Sequence, residues 1–154
     1  MKVINVNVDG LIDINVIPIN SHSLYYNSTR SLGMHGLANR EGRSKIIWHK
    51  EDDSKVFIDL SDTDDLQEDY PVKAGNVLAT GHSVWTFEPL GAVEGVPQTA
   101  ATFTTKVDLG GNIPGFVMNR VAPKFLSTVS RIREHFFKTD DEKDWIEMQS
   151  FAKV

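Results

Sequence analysis

The sequence predicts an α+β fold: a curved antiparallel sheet closed by one long C-terminal helix. Three observations carry that prediction. Up to Asn112 the chain is a series of β-branched or alternating stretches separated by turn residues. After Asn112 the apolar period changes from two to three and four. Between the two regimes stands Gly110-Gly111, a turn that lets a helix fold back across a sheet. Such a sheet, wrapped around one helix, encloses a space suited to an apolar ligand.

Val3 to Val8 alternates and ends at Asp9-Gly10, a hairpin signal. Leu11 to Ile19 is the return strand, with Pro18 marking an edge position. The hairpin is expected to cover the edge of the sheet. Ser23 to Leu32 is a strand, and Gly33, Gly36 and Asn39 punctuate the chain after it. Lys45 to His49 and Lys55 to Leu60 form a hairpin around Glu51-Asp52-Asp53-Ser54. Ser61 to Pro71 reads as a long acidic loop. Val77 to Phe87 is a long strand, with Val77, Ala79, Gly81, Ser83, Trp85 and Phe87 on one face. Leu78, Thr80, His82, Val84, Thr86 and Glu88 make the other. Glu88 to Pro97 reads as a loop and Gln98 to Val107 as the last strand. Ile113, Phe116, Val117, Val121, Phe125, Val129, Ile132 and Phe136 then form a helical stripe from Pro114 to Lys138. Asn112 is the expected N-cap, with Pro114 in the first turn. Pro123 is expected to kink the helix by clashing with the carbonyl of Asn119. An acidic tail, 140–154, ends the chain.

Composition bounds the function. The 154 residues make one domain, 40% hydrophobic and 24% charged, with no cysteine. That excludes disulfides, Cys-ligated metals and thiol catalysis. No apolar run reaches the ~20 residues that span a bilayer. The N-terminus lacks a signal-peptide core, so a cytoplasmic protein, peripheral to membranes at most, is expected. The net charge of −5 is local: residues 51–69 hold nine acids and one base, leaving 12 acids and 15 bases elsewhere. Residues 114–138 carry Arg120, Lys124, Arg131, Arg133 and Lys138 against Glu134. The contrast is that of solvated faces, or of a protein oriented on an anionic surface.

Motifs for common chemistries are missing. There is no Gly-x-Ser-x-Gly, no His-Glu-x-x-His and no EF-hand spacing. Gly110-Gly111 lacks the Lys-Ser/Thr of a P-loop. The basic helix lacks the interleaved aromatics of a nucleic-acid binder, so no nucleic-acid partner is expected. No cofactor and no metal site are expected either: His49 and His82 lack a third ligand. A His82–Glu88 acid/base pair is disfavoured by six residues of separation. The sequon Asn27-Ser28-Thr29 is expected to stay unmodified.

The segment Val107-Asp108-Leu109-Gly110-Gly111-Asn112-Ile113-Pro114-Gly115-Phe116-Val117-Met118-Asn119 resembles the START lipid-binding domain, which has the helix-grip fold of the Bet v 1-like superfamily. Val121-Ala122-Pro123 continues the pattern. Upstream, in the right order, Leu37-Ala38-Asn39-Arg40-Glu41 is similar to the family's Ser/Asn-Arg-Asp/Glu segment at the start of a strand. Val72-Lys73-Ala74-Gly75 and Val84-Trp85-Thr86-Phe87-Glu88-Pro89-Leu90 are similar to two further segments. The resemblance is best over 36–139 and implies a domain shortened at its N-terminus. It implies a non-catalytic protein that binds a phospholipid or sterol in a cavity, touches membranes transiently, and transfers or senses its ligand. The Glu51–Ser54 hairpin corresponds to a gating loop. An enzyme of the same superfamily, cyclase or hydrolase, and a sensing module of a larger protein are the alternatives.

Eight residues are the candidate ligand contacts: Arg40, Glu41, His82, Trp85, Phe103, Phe116, Val117 and Val121. Arg40 and Glu41 read either as a charged pair holding a polar head group or as a surface ion pair. Neighbours on a strand face opposite ways, so at most one points inward. Trp85, Phe87, Phe103, Phe116 and Val117 line a cavity or fill a core; from sequence the two are indistinguishable.

Overall fold

Among the described residues of the computed structural model, alternation and turn chemistry produce seven strands, and the three-and-four period produces two helices. The structure describes residues 10–51, 54–93 and 95–138, with side chains to 134. The chain divides after Ile113 into a sheet unit and a helical unit.

The strands are β1 (Leu11–Asn20), β2 (Ser23–Arg30), β3 (Arg40–Glu51), β4 (Lys55–Asp62), β5 (Val77–Leu78), β6 (Thr80–Val93) and β7 (Val96–Asp108). They form one sheet in the order β1-β2-β3-β4-β6-β7, with β5 beside β3. Every pairing is antiparallel except β3 with β5. Short connections join β1 to β2, β3 to β4 and β6 to β7, as antiparallel neighbours allow, while β4 reaches β6 through residues 63–79, which include β5. β1 joins the main sheet through β2, as Val16↔Tyr26 and Tyr26↔Ser44 show. The expected strand Val3–Val8 lies outside the described residues. Gly10, at φ 81°, accepts a hydrogen bond from the Ser31 amide at 2.7 Å.

Two strand expectations are corrected. Val77 to Phe87 is not one strand: the chain leaves β5 at Ala79, whose amide bonds the Glu41 carbonyl, and resumes as β6. Glu88 to Pro97 is not a loop. β6 runs on to Val93 and β7 starts at Val96, with Val93 opposite Val96. The prolines sit where two strands pair only with each other, so their missing N–H groups break no ladder to a third strand. The acidic segment after β4 is a loop with its acids exposed, as expected, and it is anchored at two points. Leu66 is 3% exposed, and Asp65 accepts from the Tyr25 hydroxyl at 2.7 Å.

The helical unit contains α1 (Gly115–Leu126) and α2 (Thr128–Lys138). Pro114, not Asn112, occupies the N-cap, in extended conformation and without a side-chain cap. Its carbonyl accepts from the Val117 amide at 2.9 Å. α1 passes through Pro123, and the interruption comes at Ser127. There two hydroxyls bond back to the helix: Ser127 to the Lys124 carbonyl at 2.8 Å, Thr128 to that of Phe125 at 2.7 Å. Such back-bonding competes with the backbone ladder and bends helices. Among the described residues no helix is long and apolar enough to cross a membrane.

Candidate ligand-binding face of the sheet

Residues directly opposite one another in an antiparallel pair share a face, so the registers sort the sheet into two surfaces. Ile46↔Leu60, Trp48↔Ile58, Ile58↔Trp85, Val56↔Phe87 and Trp85↔Phe103 place their side chains on one of them. Trp85 stacks on Phe103 with ring centroids 4.4 Å apart and lies beside Phe87 at 5.8 Å. Of these residues only Trp85 is buried, at 8% exposure; the others are half-buried.

The same face changes character along the strands. Toward the start of β3 it carries Arg40, Gly42 and Ser44, beside Arg30, Ser28 and Tyr26 of β2. On β6 and β7 the corresponding pair is Ser83 and Thr105, whose hydroxyls bond each other at 2.7 Å. Arg30 donates to the Tyr26 hydroxyl at 3.1 Å. One end of the face is therefore aromatic and aliphatic, and the other presents hydroxyls and guanidinium groups. That gradient complements an amphiphile.

Arg40 stands at the polar end and is 6% exposed. Its Nε donates to the Leu109 carbonyl at 2.6 Å, Nη2 to that of Gly110 at 3.3 Å, and Nη1 to that of Ala38. The Gly110-Gly111 turn makes this possible, because both glycines have positive φ (63° and 69°) and turn carbonyls toward the guanidinium. Arg40 clamps the end of β7 to the start of β3.

Glu41 lies on the opposite face and is 4% exposed. It accepts from the Lys73 amide at 3.2 Å and from the Asn76 side chain. Arg40 and Glu41 do point opposite ways, as alternation requires, yet both are buried. The segment after β4 folds back over the second face, and that covering was invisible in the sequence. It also buries Arg43, which the sequence did not single out. Arg43 is 7% exposed, bonds the Tyr70 carbonyl through Nη1 at 3.4 Å, and has a buried Nε without a partner. The signal available was β3 itself: Arg40, Glu41 and Arg43 crowd three charges into four residues.

His82 also lies on the second face, away from Trp85 and Phe103. Its Nε2 is 2.7 Å from Asp59 Oδ2. Burial pushes the Asp59 carboxyl up, but hydrogen bonds from Ser61 and His82 outweigh it and hold the group below its ordinary value. Glu88 pairs with Lys55 at 3.0 Å, not with His82, and His49 stacks on Phe57. Among the described residues no three His, Asp or Glu groups are arranged to hold a metal ion. Asn27, Ser28 and Thr29 are all buried in β2. In the helical unit Val117 and Val121 are buried, at 1% and 6%, while Phe116 is 66% exposed.

Of the eight candidate contacts, then, the sheet brings Arg40, Trp85 and Phe103 to one face and puts Glu41 and His82 on the other. Ile46, Trp48, Ile58 and Phe87 join the first group. Phe87 was legible from its strand parity, and the rest only from register.

This architecture is similar to that of human StAR-related lipid transfer protein 5, with 15% sequence identity and a TM-score of 0.64, over 85% of this chain and 64% of that one. The chain thus spans less than two thirds of that structure. It is also similar to the crystal structure of a STAR-related lipid transfer protein fragment from Xanthomonas axonopodis, with 17% identity and a TM-score of 0.60, over 85% of this chain and 70% of that one. No family model and no curated protein matches by sequence. At these identities the likeness is one of fold: the chain has the helix-grip fold of START domains, as its Asp-Leu-Gly-Gly-Asn-Ile-Pro segment implies.

Proposed function

We propose that this chain binds a lipid or similar amphiphile on the Trp85 face of its sheet and transfers or senses it. The observation that carries the reading is the face itself: Ile46, Trp48, Ile58, Phe87 and Phe103 are incompletely buried around Trp85, and a polar end follows. Apolar surface left this open is costly for a soluble protein, and a bound chain relieves it at about 0.8 kcal/mol per buried CH₂. The fold supports the reading, since both similar structures carry lipid transfer in their names. No covalent step is involved. The His82–Asp59 couple is on the other face, which disfavours the hydrolase or cyclase alternative.

The polar end orients the ligand. Ser83, Thr105 and Ser44 offer hydroxyls to a head group, and the aromatic end takes the chain. The basic residues Arg120, Lys124, Arg131 and Arg133 suit a transient encounter with anionic lipid.

Native mass spectrometry of the purified protein tests this. A bound lipid in the spectrum, and transfer of labelled phospholipid or sterol between vesicles, are expected. Absence of both a retained lipid and transfer of any lipid class would refute the proposal.

A further inference from the structure

β6 and β7 outrun the rest of the sheet. Their last support from β4 is Val56↔Phe87, yet β6 continues through Glu88 to Val93. Six residues at about 3.3 Å each project roughly 20 Å as a two-stranded ribbon. The ribbon is apolar and open to solvent: Leu90 is 56% exposed, Val93 62% and Val96 58%. From Pro89 to Thr105 the sequence contains a single ionisable residue, Glu94. The two valines face each other across the turn, where Gly95 has φ 82°.

We propose that this ribbon tip inserts into the surface of a phospholipid bilayer. The inference rests on the lipid-binding reading and names its membrane partner. Three features favour a bilayer over a protein partner. Exposed apolar residues sit on both strands of the tip, which suits a continuous apolar medium. Pro89 and Pro97 delete amide donors near the end of the ribbon, so strand addition by a peptide is disfavoured. The ribbon also grows out of the aromatic end of the ligand face, through Phe87, so docking would set that end against the membrane. Insertion of 5–10 Å is about the depth reached by interfacial anchors, and the ribbon is long enough for it.

The chain has no cysteine, so a single one can be placed at will. Val93→Cys labelled with an environment-sensitive dye is mixed, as the full chain, with phosphatidylcholine vesicles containing a lipid-borne quencher. A blue shift and quenching are expected, with neither at Thr102→Cys in mid-sheet. The triple variant Leu90→Ser, Val93→Ser, Val96→Ser should bind the same vesicles at least tenfold more weakly, with unchanged circular dichroism. No spectral change at Val93→Cys overturns the proposal. So does a shift that grows with protein concentration in the absence of vesicles, which would identify a second copy as the occupant. Uptake of monomeric lysophosphatidylcholine reports on the ligand face independently. If uptake persists without docking, the tip assignment alone has failed.

Discussion

Arg40 and Arg43 are three residues apart on β3 and almost equally buried, at 6% and 7%, but their donors fare differently. Arg40 gives all three guanidinium nitrogens to carbonyls, whereas Arg43 has one long bond and an orphaned Nε. A hydrogen bond to a charged group contributes about 1.5–3 kcal/mol, and a buried donor left unpaired costs about as much. Arg40→Met should therefore destabilise the fold by about 3 kcal/mol. Arg43→Met should lie within about 1 kcal/mol of the parent, or above it, because a poorly paired buried charge is replaceable by an apolar side chain. Urea unfolding midpoints of the two variants decide this. Tyr25 and Asp65 add a pH dependence. The Tyr25 hydroxyl, and then Thr63, hold the Asp65 carboxyl below 3.8, and the same bond pushes Tyr25 above 10.0. A depressed carboxyl stabilises above its unfolded value and loses that effect as pH falls through the folded one. A raised phenol stabilises below its unfolded value and loses the effect as pH rises through the folded one. The contact is strongest between these limits, and both groups are exposed, so its contribution is small. In Tyr25→Phe the Asp65 titration midpoint, followed by NMR, should move up toward 3.8.

Elements were legible where periodicity or turn chemistry was strong, and illegible where a neighbour decided. The β3–β4 hairpin and the Gly110-Gly111 turn follow from their residues. Gly110 illustrates why: a Cβ there would collide with the Leu78 carbonyl oxygen, while one at Gly111 would meet nothing closer than 3.9 Å. Gly110→Ala should thus destabilise more than Gly111→Ala, which carries only the strain of positive φ, about 1 kcal/mol. Thermal unfolding of the pair provides the comparison. The Pro-Gly-rich stretch at 88–97 misleads because proline and glycine are ordinarily loop signals. A ribbon paired on one side only accommodates both. Pro123 lies inside α1, which runs on past it, and the interruption comes where Ser127 and Thr128 turn their hydroxyls onto the preceding carbonyls.

For the whole sheet, what matters is which side chains share a face, and sequence reaches this only within a strand. Parity put Trp85 and Phe87 together and His82 opposite them. Cross-strand register was needed to add Trp48, Ile58 and Phe103, since a slip of one residue would have reversed each strand. Burial was harder still: Glu41 is hidden on the second face only because residues far along the chain, Lys73 and Asn76, return to it. The two faces now make separable predictions. Phe103→Ala removes a ring stacked 4.4 Å from Trp85 on the face assigned to the ligand. It should weaken lipid binding about tenfold, or 1.4 kcal/mol, the order expected for lost apolar contact. His82→Ala removes an exposed ring 2.7 Å from Asp59 on the other face and should change affinity less than about twofold. Titration of both variants with the lipid recovered from the purified protein, followed by tryptophan emission, compares them directly. Since Trp48 and Trp85 share the ligand face, their emission reports occupancy of that face. Equal losses in the two variants would mean that the ligand does not distinguish the faces, and would overturn the assignment of the site to the Trp85 surface.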